Sequence, residues 1–263
     1  MASFDIIEAA GQGYRQIWAE RQYLARLAFI PVMVKFICLT AVAALDLQTS
    51  FIRQALISLP YYFTEGWMLA HVVRFVYLGQ RWPFIPTGNN AVDEMVLRER
   101  FRGVMAGTIV YVLICMLRMA VMGWFVQTEG VVANTPPEQV SPLLMLSMLV
   151  ATVAVFWGVR LGWLFMPAAL NYPMKNFLRA LGGMQVSLYM IGLWLVCVVP
   201  LTFVFQLIVS EVAPVSKSME FILVLGQTVV STMTVLITTA VMCWGIRQIM
   251  MPDKKKPPGA RRR

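Results

Sequence analysis

YYFTEGWMLAHVVRF, residues 61–75, lies inside a long apolar run and yet holds Glu65, Arg74 and the only histidine of the chain, His71. Whether this run crosses a membrane decides the fold, because the side on which every later loop falls depends on it. A reactive site, an ion path and a structural clamp would each put ionisable groups into an apolar helix. A charge near the bilayer centre costs about 2.5–3.5 kcal/mol on insertion scales, so each such group is expected to have a partner.

The surrounding chain makes the bilayer its natural solvent. Of 263 residues, 59% are hydrophobic and 13% charged, against roughly 45–50% and about 25% in soluble domains. A span needs about 20 apolar residues to cross roughly 30 Å of hydrocarbon. Runs of that kind cover 24–45, 54–78, 104–126, 143–170, 184–209 and 219–246. The second, which contains the opening stretch, is the least apolar. Pro31, Pro60, Pro167 and Pro200 are expected to kink or end helices, which a bundle tolerates when neighbours satisfy the freed carbonyls.

Basic residues set the orientation. Arg15, Arg21 and Arg26 precede the first run; Arg81, Arg98, Arg100 and Arg102 follow the second; Lys175 and Arg179 follow the fourth; and Arg247 and the basic tail follow the sixth. The opposite side carries only Arg53 and Lys217. Both termini are therefore expected in the cytoplasm. Loop 79–103 falls on the basic side only if the weak second run also spans. The start of the chain shows no short basic head followed by an apolar stretch, so the first run is expected to target the chain and remain in it.

The expected organisation is an amphipathic cytoplasmic-surface helix at 1–23, an all-α domain of six transmembrane helices at 24–246, and a free basic cytoplasmic tail at 247–263. In the first segment Phe4, Ile7, Gly11, Tyr14 and Trp18 form one stripe, which suits a helix lying on the membrane or packed on the cytoplasmic end of the bundle. QRWPFIPTGNN, residues 80–90, reads as a turn. AVDEMVLRERFRG, residues 91–103, reads as a helix with acids at its start and bases at its end. The net charge of +9 belongs to the membrane side, not to a nucleic-acid footprint. The tail PDKKKPPGARRR serves as a topology signal or touches anionic lipid.

A threefold pattern runs through the chain. Arg26, Arg102 and Arg179 precede the odd runs; Arg74, Arg160 and Arg247 close the even ones, with Pro83, Pro167 and Pro252 beyond them. The spacing suggests three helical hairpins in parallel repeat. GVMAG (Gly103, Gly107) and GVRLG (Gly158, Gly162) are small-xxx-small motifs that permit close helix packing.

Six ionisable side chains form the candidate intramembrane charge cluster: Lys35, Glu65, His71, Arg74, Arg118 and Arg160. Lys35 lies about 11 residues before the first external turn and Glu65 about 13 after it, which at 1.5 Å per residue sets them at nearly one depth on antiparallel helices. They are expected to pair; the alternatives are a protonated Glu65 or a Lys35 that reaches a polar cavity. His71 and Arg74 share a face with Trp67, whereas Glu65 points elsewhere. Arg160 is expected at the depth of His71, facing it. Arg118 lies nearer the outer side, where Glu129 would serve it if that helix extends.

No residues for catalysis, cofactor or metal emerge. GxSxG, HExxH and the P-loop are absent. A lone histidine has too few companions to hold a metal. Cys38, Cys115, Cys197 and Cys243 stand singly inside runs and read as packing residues, as do Met116, Met119 and Met122.

The stretch WGVRLGWLFMPAALNYPMKNFLRALGGMQ, residues 157–185, has an arginine in a span, a proline seven residues on, and a short amphipathic piece at 176–181 before the next span. FDIIEAAGQGYRQIWAERQYL, residues 4–24, opens the chain as a surface helix. In these features the chain resembles polytopic bacterial inner-membrane proteins related to the membrane domain of glycerophosphodiester phosphodiesterase and the YciC-like group. The resemblance implies a six-helix membrane domain; without a phosphodiesterase domain it carries over neither that activity nor any site residue. The expectation is a non-catalytic inner-membrane scaffold or accessory subunit, with the lipid bilayer, anionic lipid and a membrane protein or second copy as partners. The alternative is a small transporter or channel with Lys35, Glu65, His71 and Arg160 along a polar path.

Overall fold

The computed structural model describes residues 5–47, 50–133, 141–211 and 217–250, and all regular structure among them is helical. In chain order the helices are α1 (Ile6–Ala19), α2 (Arg21–Ala44), α3 (Phe51–Leu78), α4 (Asn90–Ala133), α5 (Pro142–Gly158), α6 (Phe165–Ala169), α7 (Met174–Ala180), α8 (Met184–Glu211) and α9 (Lys217–Met250), with a 3₁₀ turn, Val159–Trp163, between α5 and α6. The basic tail beyond residue 250, and the loop residues 134–140, lie outside the described residues.

Among the described residues, five helices are long and apolar enough to cross a membrane: Arg21–Ala44, Asn90–Thr128, Pro142–Ala169, Met184–Val209 and Phe221–Arg247. By length and composition this is a multi-pass membrane protein. The expected second span, α3, is not among the five, because Arg53, Glu65, His71 and Arg74 lower its hydropathy. Yet its 28 residues would reach about 42 Å at 1.5 Å per residue. α3 is also the most enclosed of the long helices: every residue from 68 to 75 is buried, His71 and Arg74 included. It packs chiefly on α4 and α2, and also on α9 and α6. A helix buried all round belongs at the centre of a bundle.

α4 joins the expected loop helix and third span into one rod of 44 residues. Asp93 fastens the preceding loop to its first turn, accepting from Thr87 N, Thr87 Oγ1 and Gly88 N at 2.7–3.2 Å. The expected fourth span is broken: α5 gives way to the 3₁₀ turn and then to α6, whose Phe165, Met166, Pro167, Ala168 and Ala169 are all buried. Pro167 contributes no N–H to the α-helical ladder and its ring crowds the carbonyl one turn back.

The glycine motifs part company here. A Cβ at Gly107 would meet Ala169 Cβ at 2.8 Å, and one at Gly103 would meet Ala169 O at 2.6 Å, so α4 touches α6 because these two residues are glycine. Gly158 and Gly162 were expected to pack closely as well, and do not: a Cβ at either meets nothing within 4 Å among the described residues. They fall where α5 ends and the 3₁₀ turn begins, off any tight helix contact.

α1 is docked on α9 and α8. It buries Ala9, Ala10 and Gly13, and a Cβ at Gly13 would collide with Val241. The indole N–H of Trp244 donates to Gln16 Oε1 at 2.7 Å. Of the stripe read from the sequence, Ile7 and Trp18 remain 82% and 72% exposed. The small residues make the closest approach to the bundle, with Ile6, Tyr14 and Ile17 half-buried beside them. The break to α2 comes at Glu20, three residues before the expected boundary.

Candidate functional site

Two buried charge centres lie along α3, about two and a half turns apart. The first is built from α2 and α3. Lys35 Nζ stands 3.1 Å from Glu65 Oε1, with the two side chains 11% and 5% exposed. The ammonium also lies 5.4 Å from the ring centroid of Tyr61. Helix α4 closes the third side. Gly66 lets it approach, since a Cβ there would press on the Tyr111 ring at 3.0 Å and on Thr108 O at 3.2 Å. The Glu65 carboxylate is within electrostatic range of Tyr111, Cys115 and Arg118. Arg118 sits on the exposed side of α4 and makes no ion pair among the described residues. The Glu129 side chain lies outside the described residues.

The second centre is Arg74, the largest fully buried side chain. Its Nη1 donates to Ala169 O at 2.8 Å, its Nε to Gln80 Oε1 at 2.9 Å and its Nη2 to Glu99 Oε1 at 3.3 Å. Ala169 ends α6, so the guanidinium meets the negative end of a helix. Gln80 returns to it because Gly79 takes the left-handed conformation, φ 67°, and caps α3 by donating to Phe75 O. Gln80 Oε1 also accepts from Arg100 Nε at 3.1 Å, and Arg100 Nη2 donates to Arg81 O at 2.8 Å. Asn171 Nδ2 donates to Glu99 O at 3.3 Å. Three segments, the turn after α3, α4 and the end of α6, thus meet on one cation.

The remaining candidates stand apart. His71 lies between Trp67, edge-on at 4.7 Å between ring centroids, and Trp82, tilted at 5.2 Å. Arg160 does not face it as expected; its Nη1 lies 3.4 Å from Leu181 O, because the 3₁₀ turn carries it toward the start of α8. Among the described residues no three His, Cys, Asp or Glu side chains cluster as metal ligands. The cysteines are free and buried.

Reading the sequence missed Gln80, Glu99, Arg100 and the Ala169 carbonyl. The one available signal was Gly79 after an apolar helix, a usual αL stop, which turns the following polar residue back onto the last turn. The chemistry of both centres is that of charge held in place: every donor of the ammonium and guanidinium that has a partner here meets protein oxygen. No family model, curated protein or solved structure matches this chain.

Proposed function

We propose that this chain is a non-catalytic membrane scaffold or accessory subunit whose buried charges hold the bundle together and whose exposed helix faces and basic surfaces do its work. The observation that carries this is the Lys35–Glu65 pair, 3.1 Å apart and shielded from the exterior. A second support is Arg74, whose three hydrogen bonds all go to groups that belong to the fold itself.

In this proposal α3 is a sixth crossing, its stretch 68–75 masked from lipid by its neighbours, and both termini face the cytoplasm of a bacterial inner membrane. The three hairpins descend from one repeated unit, and the six-helix plan is that of the glycerophosphodiester phosphodiesterase membrane-domain group that the sequence resembles. Its partners are the bilayer, anionic lipid on the basic side, and a membrane protein or a second copy of the chain.

The test is gentle extraction followed by mass spectrometry of what co-purifies, together with ion- and proton-flux assays after reconstitution in liposomes. A scaffold brings a stoichiometric membrane partner or a second copy and passes no ions. A lone chain that supports a flux abolished by Glu65→Gln would instead make Lys35, Glu65, His71 and Arg160 a transport path.

A further inference from the structure

A cavity of about 660 Å³ opens where α1 hands over to α2. Its wall includes the guanidinium-bearing residues Arg21, Arg26 and Arg81, one acid, Glu20, and the aromatic residues Tyr23 and Trp82. We infer that this cavity binds the phosphate of an anionic headgroup, carried by a phospholipid or by a soluble phosphate ester.

The charges favour an anion. Three arginines face one carboxylate, and that carboxylate is already engaged, since Arg81 Nη2 donates to Glu20 Oε1. Arg81 is held in place by stacking at 5.7 Å over Tyr23 and 5.5 Å over Phe75. Tyr23 is fixed in turn, its hydroxyl accepting from Trp82 N at 3.1 Å. Arg21 is tied to Trp18 O at 3.2 Å. Arg26 has no hydrogen bond or ion pair among the described residues, and so brings an unspent guanidinium into a wall whose other members are set. Guanidinium groups take phosphate oxygens two at a time.

The position favours a lipid. The cavity lies at the first turns of α2, where its apolar crossing begins, and Leu27 forms part of the wall. Exposed Trp82 lines it and exposed Trp18 lies 5.2 Å from the Arg21 guanidinium, and indoles are enriched at headgroup level. The first turn of α2 receives no side-chain cap from Glu20, and its Arg21, Gln22 and Tyr23 line the cavity. A volume of this size holds a headgroup.

This inference rests on the chain being a membrane protein with its basic side at an anionic leaflet, and the test separates the two. Full-length protein in dodecyl maltoside is titrated with dioleoylphosphatidylglycerol, dioleoylphosphatidylcholine, glycerol 3-phosphate and inorganic phosphate, bound species being counted by native mass spectrometry. One phosphatidylglycerol binds in preference to phosphatidylcholine, and Arg26→Gln weakens it by about tenfold, the loss of one charge-assisted hydrogen bond. Arg98→Gln, which removes an exposed charge outside the cavity, leaves it unchanged. Binding of glycerol 3-phosphate or phosphate that is equally sensitive to Arg26→Gln assigns the same site to a soluble ester. Equal losses in the two variants would overturn the cavity while leaving a diffuse anionic-surface contact intact. Equal binding of both lipids, with no phosphate bound, would overturn it outright.

Discussion

Arg74 is buried to 1% exposure, although its acid, Glu99, has a side chain 60% exposed. A pair with so open a carboxylate contributes roughly 0.2–1 kcal/mol, so the guanidinium is held chiefly by the Ala169 carbonyl and Gln80. Arg74→Met leaves the Ala169 carbonyl without its donor, while Gln80 Oε1 keeps Arg100 Nε, and stability should fall by about 1–3 kcal/mol. Glu99→Gln should fall by less than about 1 kcal/mol. Thermal unfolding of both variants in one detergent checks the ranking. Glycines give a matching contrast. Gly103→Ala drives a methyl toward Ala169 O and the Arg74 head, and should lose about 1–3 kcal/mol. Gly158→Ala enters open space in an αR conformation, and should be neutral or gain up to about 1 kcal/mol from helix propensity. Lys35 and Glu65 were legible in the sequence because depth along two adjacent antiparallel helices follows from counting residues. The Arg74 acceptors were not, since they lie on a turn and a broken helix end whose positions depend on the path of the whole chain.

Helices follow the same division. Apolar length foretold where α2, α4, α8 and α9 run, and the DEMVLRER segment foretold the start of α4. The packing face of α1 was not legible in its apolar stripe for a physical reason: in a membrane, lipid covers large apolar residues as well as protein does, and close approach is governed by small ones. Gly13→Leu should therefore lift α1 from α9 while leaving the central helix in place. Hydrogen exchange should rise sharply across residues 6–19 and stay unchanged across 68–75. Equal exchange in α1 before and after the change would contradict a contact built on Gly13 and Val241. The break between α5 and α6 was foreshadowed only by Pro167, and two glycines that looked like packing residues mark it instead.

The bundle as a whole is organised around a helix too polar to be recognised as a span by hydropathy. α3 keeps its ionisable groups by surrounding them with α2, α4, α6 and α9, and Tyr77 ties it to α9 through a hydrogen bond to Cys243 O at 2.8 Å. If α3 crosses the bilayer, reporters fused after residue 263 and within 85–95 should both read cytoplasm, and one within 130–138 should read the opposite side. A cytoplasmic signal from 130–138 would contradict the six-crossing topology.

The claim on which the rest depends is that the buried charges are structural, and a double-mutant cycle on the 3.1 Å pair tests it most directly. Lys35→Met and Glu65→Leu each strand one partner in a low-dielectric site, and each should lose about 3–5 kcal/mol. The double variant removes the desolvation penalty together with the attraction, and should recover most of that loss. Thermal unfolding of wild type, both single variants and the double variant in one detergent gives the four corners. Single variants as stable as wild type would contradict a clamp.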